Sequence, residues 1–192
     1  MLSPFEKVAI WMEAYDRPWG IAGGWAIDLF VGQVTREHSD IEIAILREDQ
    51  HGLKRLLHDW SFKKVVKHQF VDWGPETLEL PIHELHGTHQ SYGDQLELLL
   101  NEVVNDQWIF RRDPRISFPS SALFLKSPQG IPLLHPAIVL LYKANNTREK
   151  DHADFLAVKG LIGKEDQEWL CDALKVHVPG HLWISELQGE LV

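Results

Sequence analysis

The sequence lacks most features of a secreted, membrane-spanning or nucleic-acid-binding protein. Its 192 residues include one cysteine, Cys171, so an intrachain disulfide is excluded and a cytoplasmic location is expected. Lys and Arg total 19 against 28 Asp and Glu, and the net charge of −9 argues against a general nucleic-acid binder. No apolar run approaches the ~18 residues of a membrane span, and the N-terminus does not read as a signal peptide.

What is present is the composition of an ordinary globular protein. Hydrophobic residues make up 44% and charged residues 24%, and the length suffices for one or two domains with a hydrophobic core. We expect an α+β fold with a mixed sheet, followed by a helical C-terminal part. The change to helical periodicity near residue 135 predicts a division into residues 1–134 and residues 135–192.

The spacing of apolar residues and the positions of Gly and Pro predict the order of the elements. Helices are expected at residues 4–16, 25–31, 50–60, 136–145, 149–161, 164–176 and, as a short last helix, 180–190. Strands are expected at residues 19–22, 40–46, 63–67, 70–73, 77–80, 95–100 and 108–111. A loop is expected at residues 111–119, and a hairpin from residues 122–125 and 130–133.

The segment of residues 19–45 carries the most information about chemistry. Gly23 and Gly24 open a helix, whose free backbone N–H groups and positive dipole end can hold a phosphate. The strand that follows begins with Asp40 and Glu42, which are two positions apart and therefore point to the same face. Two such carboxylates are tolerated when a cation lies between them, usually a divalent metal. This combination is the minimum set for phosphoryl or nucleotidyl transfer.

The same segment resembles the signature of the nucleotidyltransferase superfamily with a polymerase-beta-like palm. The resemblance is to the branch of aminoglycoside and lincosamide adenylyltransferases, which reads Gly-Gly-Trp-Ala-x-Asp, then Gly, then Thr-Arg-x-His-x-Asp-x-Asp. The matching positions here are Gly23, Gly24, Trp25, Ala26, Asp28, Gly32, Thr35, Arg36, His38, Asp40 and Glu42. The one departure is Glu42, where the family normally has Asp.

The resemblance implies a third carboxylate on a neighbouring strand. Glu97, the lone charge within the apolar run of residues 95–100, is the candidate, and its alternative is an outward residue on a half-exposed strand. The resemblance further implies that Asp40, Glu42 and Glu97 hold two Mg2+ ions against a triphosphate and that Glu97 is the general base. Glu in place of Asp at two of these positions displaces the carboxylate by about 1.5 Å, which matters for octahedral Mg2+.

Nucleotide contacts are also implied by the resemblance. Gly23 and Gly24 are expected to bind the β- and γ-phosphates through their N–H groups, although the pair also suits a tight strand–helix turn. A second matching patch, residues 140–155, supplies Lys143 as the best candidate phosphate ligand there. Its other matching positions are Arg148, Lys150, Asp151 and Asp154.

The loop between the helix and the carboxylate strand contributes two more candidates. Arg36 either reaches a phosphate or pairs at the surface with Glu37 or Asp28. His38 either lines the site or makes a structural hydrogen bond. Asp28 is interpreted as an anchor for the loop that carries Arg36 and not as a metal ligand.

Three histidines at a spacing of three residues, His83, His86 and His89, would cluster on a helix. Pro81 and Gly87 interrupt this stretch and it has no helical apolar stripe, so we expect no zinc site there.

The expected function is Mg2+-dependent transfer of a nucleoside monophosphate, in the first instance AMP from ATP, to a hydroxyl of a small acceptor. The resemblance suggests an acceptor like an aminoglycoside or a lincosamide. Two alternatives are kept: transfer to a protein side chain, and a degenerate member that binds nucleotide or a partner without catalysis. Neither a nucleic acid nor a membrane is expected as a partner, and monomer or homodimer is left open.

Overall fold

A mixed sheet of ten strands forms the centre of the chain, which a computed structural model describes from residue 2 to residue 189. The strands are β1 (Trp19–Ile21), β2 (Glu42–Leu46), β3 (Trp60–Val66), β4 (Gln69–Asp72), β5 (Glu84–His89), β6 (Gln95–Val104), β7 (Gln107–Ile109), β8 (Ser117–Pro119), β9 (Phe124–Lys126) and β10 (Pro132–Leu134). The helices are α1 (Pro4–Trp11), α2 (Gly23–Val31), α3 (Gln50–Leu56), α4 (Pro136–Lys143), α5 (Glu149–Val158), α6 (Lys164–His177) and α7 (Leu182–Gln188).

The strand order is β4-β3-β5-β6-β2-β1-β10-β9. In addition, β7 pairs with the C-terminal end of β6, and β8 pairs with β7. Two pairs are parallel, β1 with β10 and β2 with β6, and the others are antiparallel. This arrangement confirms the expected α+β fold with a mixed sheet. It also places β1 and β2, which flank the Gly-Gly turn, in the middle of the sheet.

The C-terminal part is helical, as expected, and it packs against the helix that follows the glycines. Helices α4 and α5 contact α2, and one hydrophobic core runs through both parts. Ile27 of α2, Ile43 of β2 and Ile138 of α4 are fully buried in this core. The domain division at residue 134 stays a prediction.

Several local signals act as the sequence indicates. Ser3 caps α1 together with Glu6 in a reciprocal capping box, and Gly32 ends α2 in the left-handed conformation. The hairpin of β9 and β10 and the four C-terminal helices lie where they are expected, although residue 190 of the predicted last helix lies outside the described residues. Within residues 2–189, no helix is long and apolar enough to cross a membrane.

Three predictions about the middle of the chain are wrong, and one of them is the loop expected at residues 111–119, whose end forms β8. Trp60 was expected in a helix, but α3 ends at Leu56 and Trp60 begins β3, where it packs edge-on against Trp11. No strand forms at residues 77–80, because the backbone of Leu78 is bonded by side chains. The Gln50 amide accepts from its N–H at 2.7 Å and donates to its carbonyl at 3.2 Å, which leaves no groups for a ladder.

Candidate active site

The Gly-Gly turn joins the end of β1 to the start of α2 and lies directly against β2. Gly23 has a φ of +59°, a conformation that side chains disfavour, and a Cβ at this position would overlap the carboxylate of Glu42. Both the backbone conformation and the close approach therefore require glycine at position 23. The turn is tied to the same strand by the N–H of Ala22, which donates to the carbonyl of Glu42 at 2.8 Å.

The N-terminus of α2 has no side-chain cap, so its first backbone N–H groups and its positive end remain available to an anion. A Cβ on Gly24 would overlap the imidazole of His38 and the guanidinium of Arg36. Position 24 thus needs glycine for a different reason from position 23. The loop residues Arg36 and His38 pack against the start of the helix, beside the turn that was predicted to hold phosphate.

The two glutamates of the predicted metal site are direct neighbours across the sheet. Glu42 of β2 and Glu97 of β6 are register partners in a parallel pair, so their side chains share one face. Asp40 was expected within the strand but lies just before it, since β2 begins at Glu42. The N–H of Glu97 donates to the carbonyl of Ile41 at 3.0 Å, which keeps the segment of Asp40 next to β6.

Burial and mutual repulsion perturb both glutamates. Burial first, and then the negative charges of Glu97 and Asp40, together raise the pKa of Glu42 to about 7. The pKa of Glu97 is also raised, mainly by burial, while the charge of His86 opposes that shift. Burial is thus the main cause of both shifts, and repulsion between the carboxylates is a smaller one.

The three carboxylates do not by themselves form a closed ligand cluster. Across residues 2–189, no group of three or more His, Cys, Asp or Glu side chains is arranged so that it could hold a metal ion. Glu97 instead contacts His86, its register partner on β5, with 3.4 Å between Oε1 and Nδ1. The other ring nitrogen of His86 lies 2.9 Å from Oε1 of Glu84, so the imidazole lies between two carboxylates.

Asp28 anchors the loop that carries Arg36, which confirms the interpretation from the sequence. Its Oδ1 accepts hydrogen bonds from the backbone N–H and the hydroxyl of Thr35, the former at 3.0 Å. Its Oδ2 lies 2.6 Å from Nε2 of His38, whose ring packs at 4.5 Å from the ring of Trp25. His38 therefore makes the structural hydrogen bond that was one of its two expected roles.

Arg36 binds a carboxylate that neither sequence alternative included. Its Nε and Nη2 donate to the two oxygens of Asp154 at 3.0 and 2.9 Å, in a bidentate pair between the loop and α5. Asp154 also lies 2.9 Å from Nζ of Lys143, and Lys143 lies 3.1 Å from Asp151, which in turn pairs with Arg148. Lys143, predicted to bind phosphate, is thus held between two buried carboxylates.

Two cavities are lined by the predicted carboxylates, one by Glu42 and the other by Asp40 and Glu97. One of about 440 Å³ lies between the sheet and the C-terminal helices. Its lining includes Gly23, Glu42, Glu84, Arg111, Arg112, Tyr142, Lys143 and Arg148. The other, of about 680 Å³, lies on the side of α1 and β5, and its lining includes Trp25, His38, Asp40, Phe70, His86 and Glu97.

From the sequence, His86 is considered only for a zinc site, and Glu84, Arg111, Arg112 and Tyr142 are not predicted to line the cavities. The alternation of β5 carries a weak signal for His86, because Glu84 and His86 share a face there. Arg111 and Arg112 lie in a segment that is expected to be a loop. Residue spacing shows which side chains share a face only in a helix or a strand, so it says nothing about these two arginines.

Comparisons with known proteins show the family and the fold of this chain. A family model described as aminoglycoside-2''-adenylyltransferase matches residues 5–122. The lincosamide adenylyltransferase LnuA with lincomycin bound is 21% identical, with a TM-score of 0.56 over 81% of this chain and 94% of that chain. No curated protein matches this sequence at a significant level.

Two structures of the antibiotic-resistance factor ANT(2'')-Ia share the fold at still lower identity. The solution structure is 18% identical, with a TM-score of 0.59 over 88% of each chain. The crystal structure in complex with adenylyl-2''-tobramycin is 16% identical, with a TM-score of 0.59 over 90% of this chain and 95% of that chain.

Proposed function

Because the chain belongs to the aminoglycoside-2''-adenylyltransferase family, we propose that this nucleotidyltransferase moves AMP from ATP to a hydroxyl of a small antibiotic-like acceptor with the help of Mg2+. One observation carries the proposal. The uncapped start of α2 at Gly23 touches the carboxylate of Glu42, and Glu97 lies beside Glu42 on the same face. The turn that we assign to phosphate is therefore adjacent to the carboxylates that we assign to metal, which supports nucleotidyl transfer.

The donor set suits Mg2+, although the carboxylates are not closed around a point. Asp40, Glu42 and Glu97 offer hard oxygen ligands, and a cation would offset both the burial of Glu42, which is the main cause of its raised pKa, and its repulsion by Glu97 and Asp40. These three residues would hold the metal, and triphosphate oxygens and water would complete its coordination. Mg2+ bound there supplies charge neutralisation to the triphosphate.

In the proposed reaction, the acceptor oxygen forms a bond to the α-phosphorus of ATP. The bond from that phosphorus to the bridging oxygen breaks, and pyrophosphate leaves. Glu97 accepts the proton of the acceptor hydroxyl, and burial helps it by raising its pKa towards the working pH. The backbone N–H groups of Gly23 and Gly24 orient the phosphates.

The acceptor is assigned to the cavity of about 680 Å³, whose size suits a small molecule. Asp40 and Glu97 give its floor a negative charge, and Phe70 and Trp25 give it aromatic walls. A cationic acceptor with ring systems matches this lining, as an aminoglycoside would. LnuA and ANT(2'')-Ia, by their structures, take a lincosamide and an aminoglycoside, and both classes belong in the test.

The test follows pyrophosphate release by a coupled assay and transfer of AMP by a label at the α-phosphate of ATP, with Mg2+ and with an aminoglycoside, a lincosamide or no acceptor. We expect release that needs both Mg2+ and one acceptor, and loss of that release in Asp40→Asn and Glu97→Gln. Label on the protein band of a gel would favour transfer to a protein side chain. ATP binding that is unaffected by Mg2+, without any release, would support the degenerate alternative.

A further inference from the structure

The cations that line the 440 Å³ cavity fall into two groups. Lys143 and Arg148 are already neutralised, since Asp151 and Asp154 lie within 3.1 Å of one or the other. Arg36, another expected phosphate ligand, likewise forms a bidentate pair with Asp154. Binding a phosphate with any of these groups would compete with buried ion pairs, whose disruption is costly.

Arg111 and Arg112 form the second group. Among residues 2–189, no carboxylate lies within the 4.0 Å of an ion pair from either guanidinium. The nearest acid along the chain, Asp113, is bound by Arg115 through two hydrogen bonds of 2.9 and 2.6 Å. The cavity therefore contains two guanidiniums that have no ion-pair partner among the described residues.

Both guanidiniums are held beside one aromatic ring. Their Cζ atoms lie 5.6 Å (Arg111) and 5.2 Å (Arg112) from the ring centre of Tyr142. Nη1 of Arg112 also donates to the Tyr142 carbonyl at 2.9 Å, which fixes that side chain to the last turn of α4. The pair is thus positioned beside α4, with Arg111 half-buried and Arg112 exposed, so both charges are accessible to an anion.

Holding two guanidiniums together has an electrostatic cost. Burial and the charge of Arg111 both lower the pKa of Arg112, yet arginine does not lose its proton in the physiological range. The repulsion consequently persists until an anion enters. Guanidinium groups match phosphate oxygens in pairs, so a polyphosphate is the anion that suits two adjacent arginines.

We propose that Arg111 and Arg112 bind the β- and γ-phosphates of the nucleotide donor. This assignment rests on the proposed function and deepens it. The two arginines line the same cavity as Gly23 and Glu42, so one polyphosphate chain extends from the helix start to the arginine pair. In this arrangement Lys143 keeps its structural ion pairs and the arginines supply the free positive charge.

The test uses calorimetry with four probes, ATP, ADP, AMP and inorganic tripolyphosphate, each in the presence of Mg2+. The proteins are the parent, Arg111→Gln, Arg112→Gln and the double variant. Arg115→Gln is the matched control, because Arg115 is an exposed arginine of the same loop that pairs with Asp113 and does not line the cavity. A urea unfolding curve for each variant checks that the fold is kept.

We expect each single variant to weaken ATP and tripolyphosphate binding by about tenfold and the double variant by more. AMP binding and the Arg115→Gln control should stay within about twofold of the parent. Arg111→Gln is the decisive single variant, because Arg111 is not bonded to the Tyr142 carbonyl and its removal leaves that contact intact.

The inference is overturned if the double variant binds tripolyphosphate as the parent does, or if ATP and tripolyphosphate bind at the same time. The second result would assign the arginines to a phosphate source other than the donor. Failure of the proposed function looks different. In that case the parent would release no pyrophosphate with any acceptor, while the arginine variants would still bind tripolyphosphate more weakly than the parent. This result would support the phosphate site and contradict the transfer reaction.

Discussion

Gly23 and Glu42 are complementary in shape: the space that a Cβ of Gly23 would occupy is filled by the carboxylate of Glu42. The contact joins the start of α2 to the first residue of β2, the two features that the sequence marks for phosphate and for metal. A substitution at either residue should therefore change the position of the other.

Gly23→Ala should abolish Mg2+-dependent ATP binding and destabilise the protein by more than the ~1 kcal/mol of a left-handed alanine, because it also displaces Glu42. Gly32→Ala is the matched control, since Gly32 also has a positive φ of 84° but no atom lies within 4 Å of its added Cβ. Urea unfolding and calorimetry with ATP measure both effects. Equal losses in the two variants would mean that only backbone strain, and not the contact with Glu42, matters.

Glu42→Asp should tighten Mg2+ binding by roughly threefold to tenfold and keep or raise transfer activity. The shorter side chain withdraws the carboxylate by about 1.5 Å and restores the residue that the family normally has at this position. Titration with Mg2+ and ATP gives the measurement, and Asp40→Asn, which should abolish metal-dependent binding, is the negative control. Weaker Mg2+ binding by Glu42→Asp would contradict this prediction, because it would mean that the metal site requires the longer side chain.

The raised pKa of Glu42 predicts a pH dependence of stability in metal-free buffer. Between the unfolded pKa of about 4.5 and the folded pKa of about 7, the folded state keeps a proton that the unfolded state releases. Stability should therefore fall as pH rises through this window, by about 3 kcal/mol from this one group.

Glu42→Gln removes the titrating group, so its stability relative to the parent should increase as pH rises from about 4.5 to 7.5. Urea unfolding in chelator at several pH values would measure the difference. Parallel profiles for the parent and Glu42→Gln would contradict the assigned shift.

Asp154→Asn should cost about 3–5 kcal/mol of unfolding free energy, because it leaves Arg36 and Lys143 without their shared buried carboxylate. Asp172→Asn breaks an exposed pair with Lys175 and should cost less than ~0.5 kcal/mol. Both values come from urea titrations at neutral pH. A loss below 1 kcal/mol for Asp154→Asn would mean that water or other groups satisfy the two cations.

The secondary structure of residues 19–46 could be predicted from the sequence because each element boundary has a local signal. Gly23 takes the positive φ of the turn, Gly32 ends the helix, and the i, i+2 spacing of Asp40 and Glu42 gives a shared face. Glu97 is readable as the one charge in an apolar strand, and its register partner is Glu42. The metal and nucleotide roles of these residues stay predictions.

Long-range pairs leave no such pattern. Arg36 has two acids close by in sequence, yet it binds Asp154, which is 118 positions away. Trp60 continues the apolar spacing of a helix, but pairing with β5 and contact with Trp11 outweigh that local preference. Arg111 and Arg112 could not be predicted as site residues either. Their importance depends on the absence of an ion-pair partner within the described chain, which only the fold shows.

The pairing of Arg36 with Asp154 also has a consequence for biosynthesis. The ribosome makes Arg36 early, while its partner on α5 and the β10 neighbour of β1 emerge only near the end. The nascent chain therefore carries an unfinished sheet and an unpaired Arg36 through most of translation. Such late closure is typical of slow, non-local folding, and the loop of Arg36 is not anchored to Asp154 until α5 has been made.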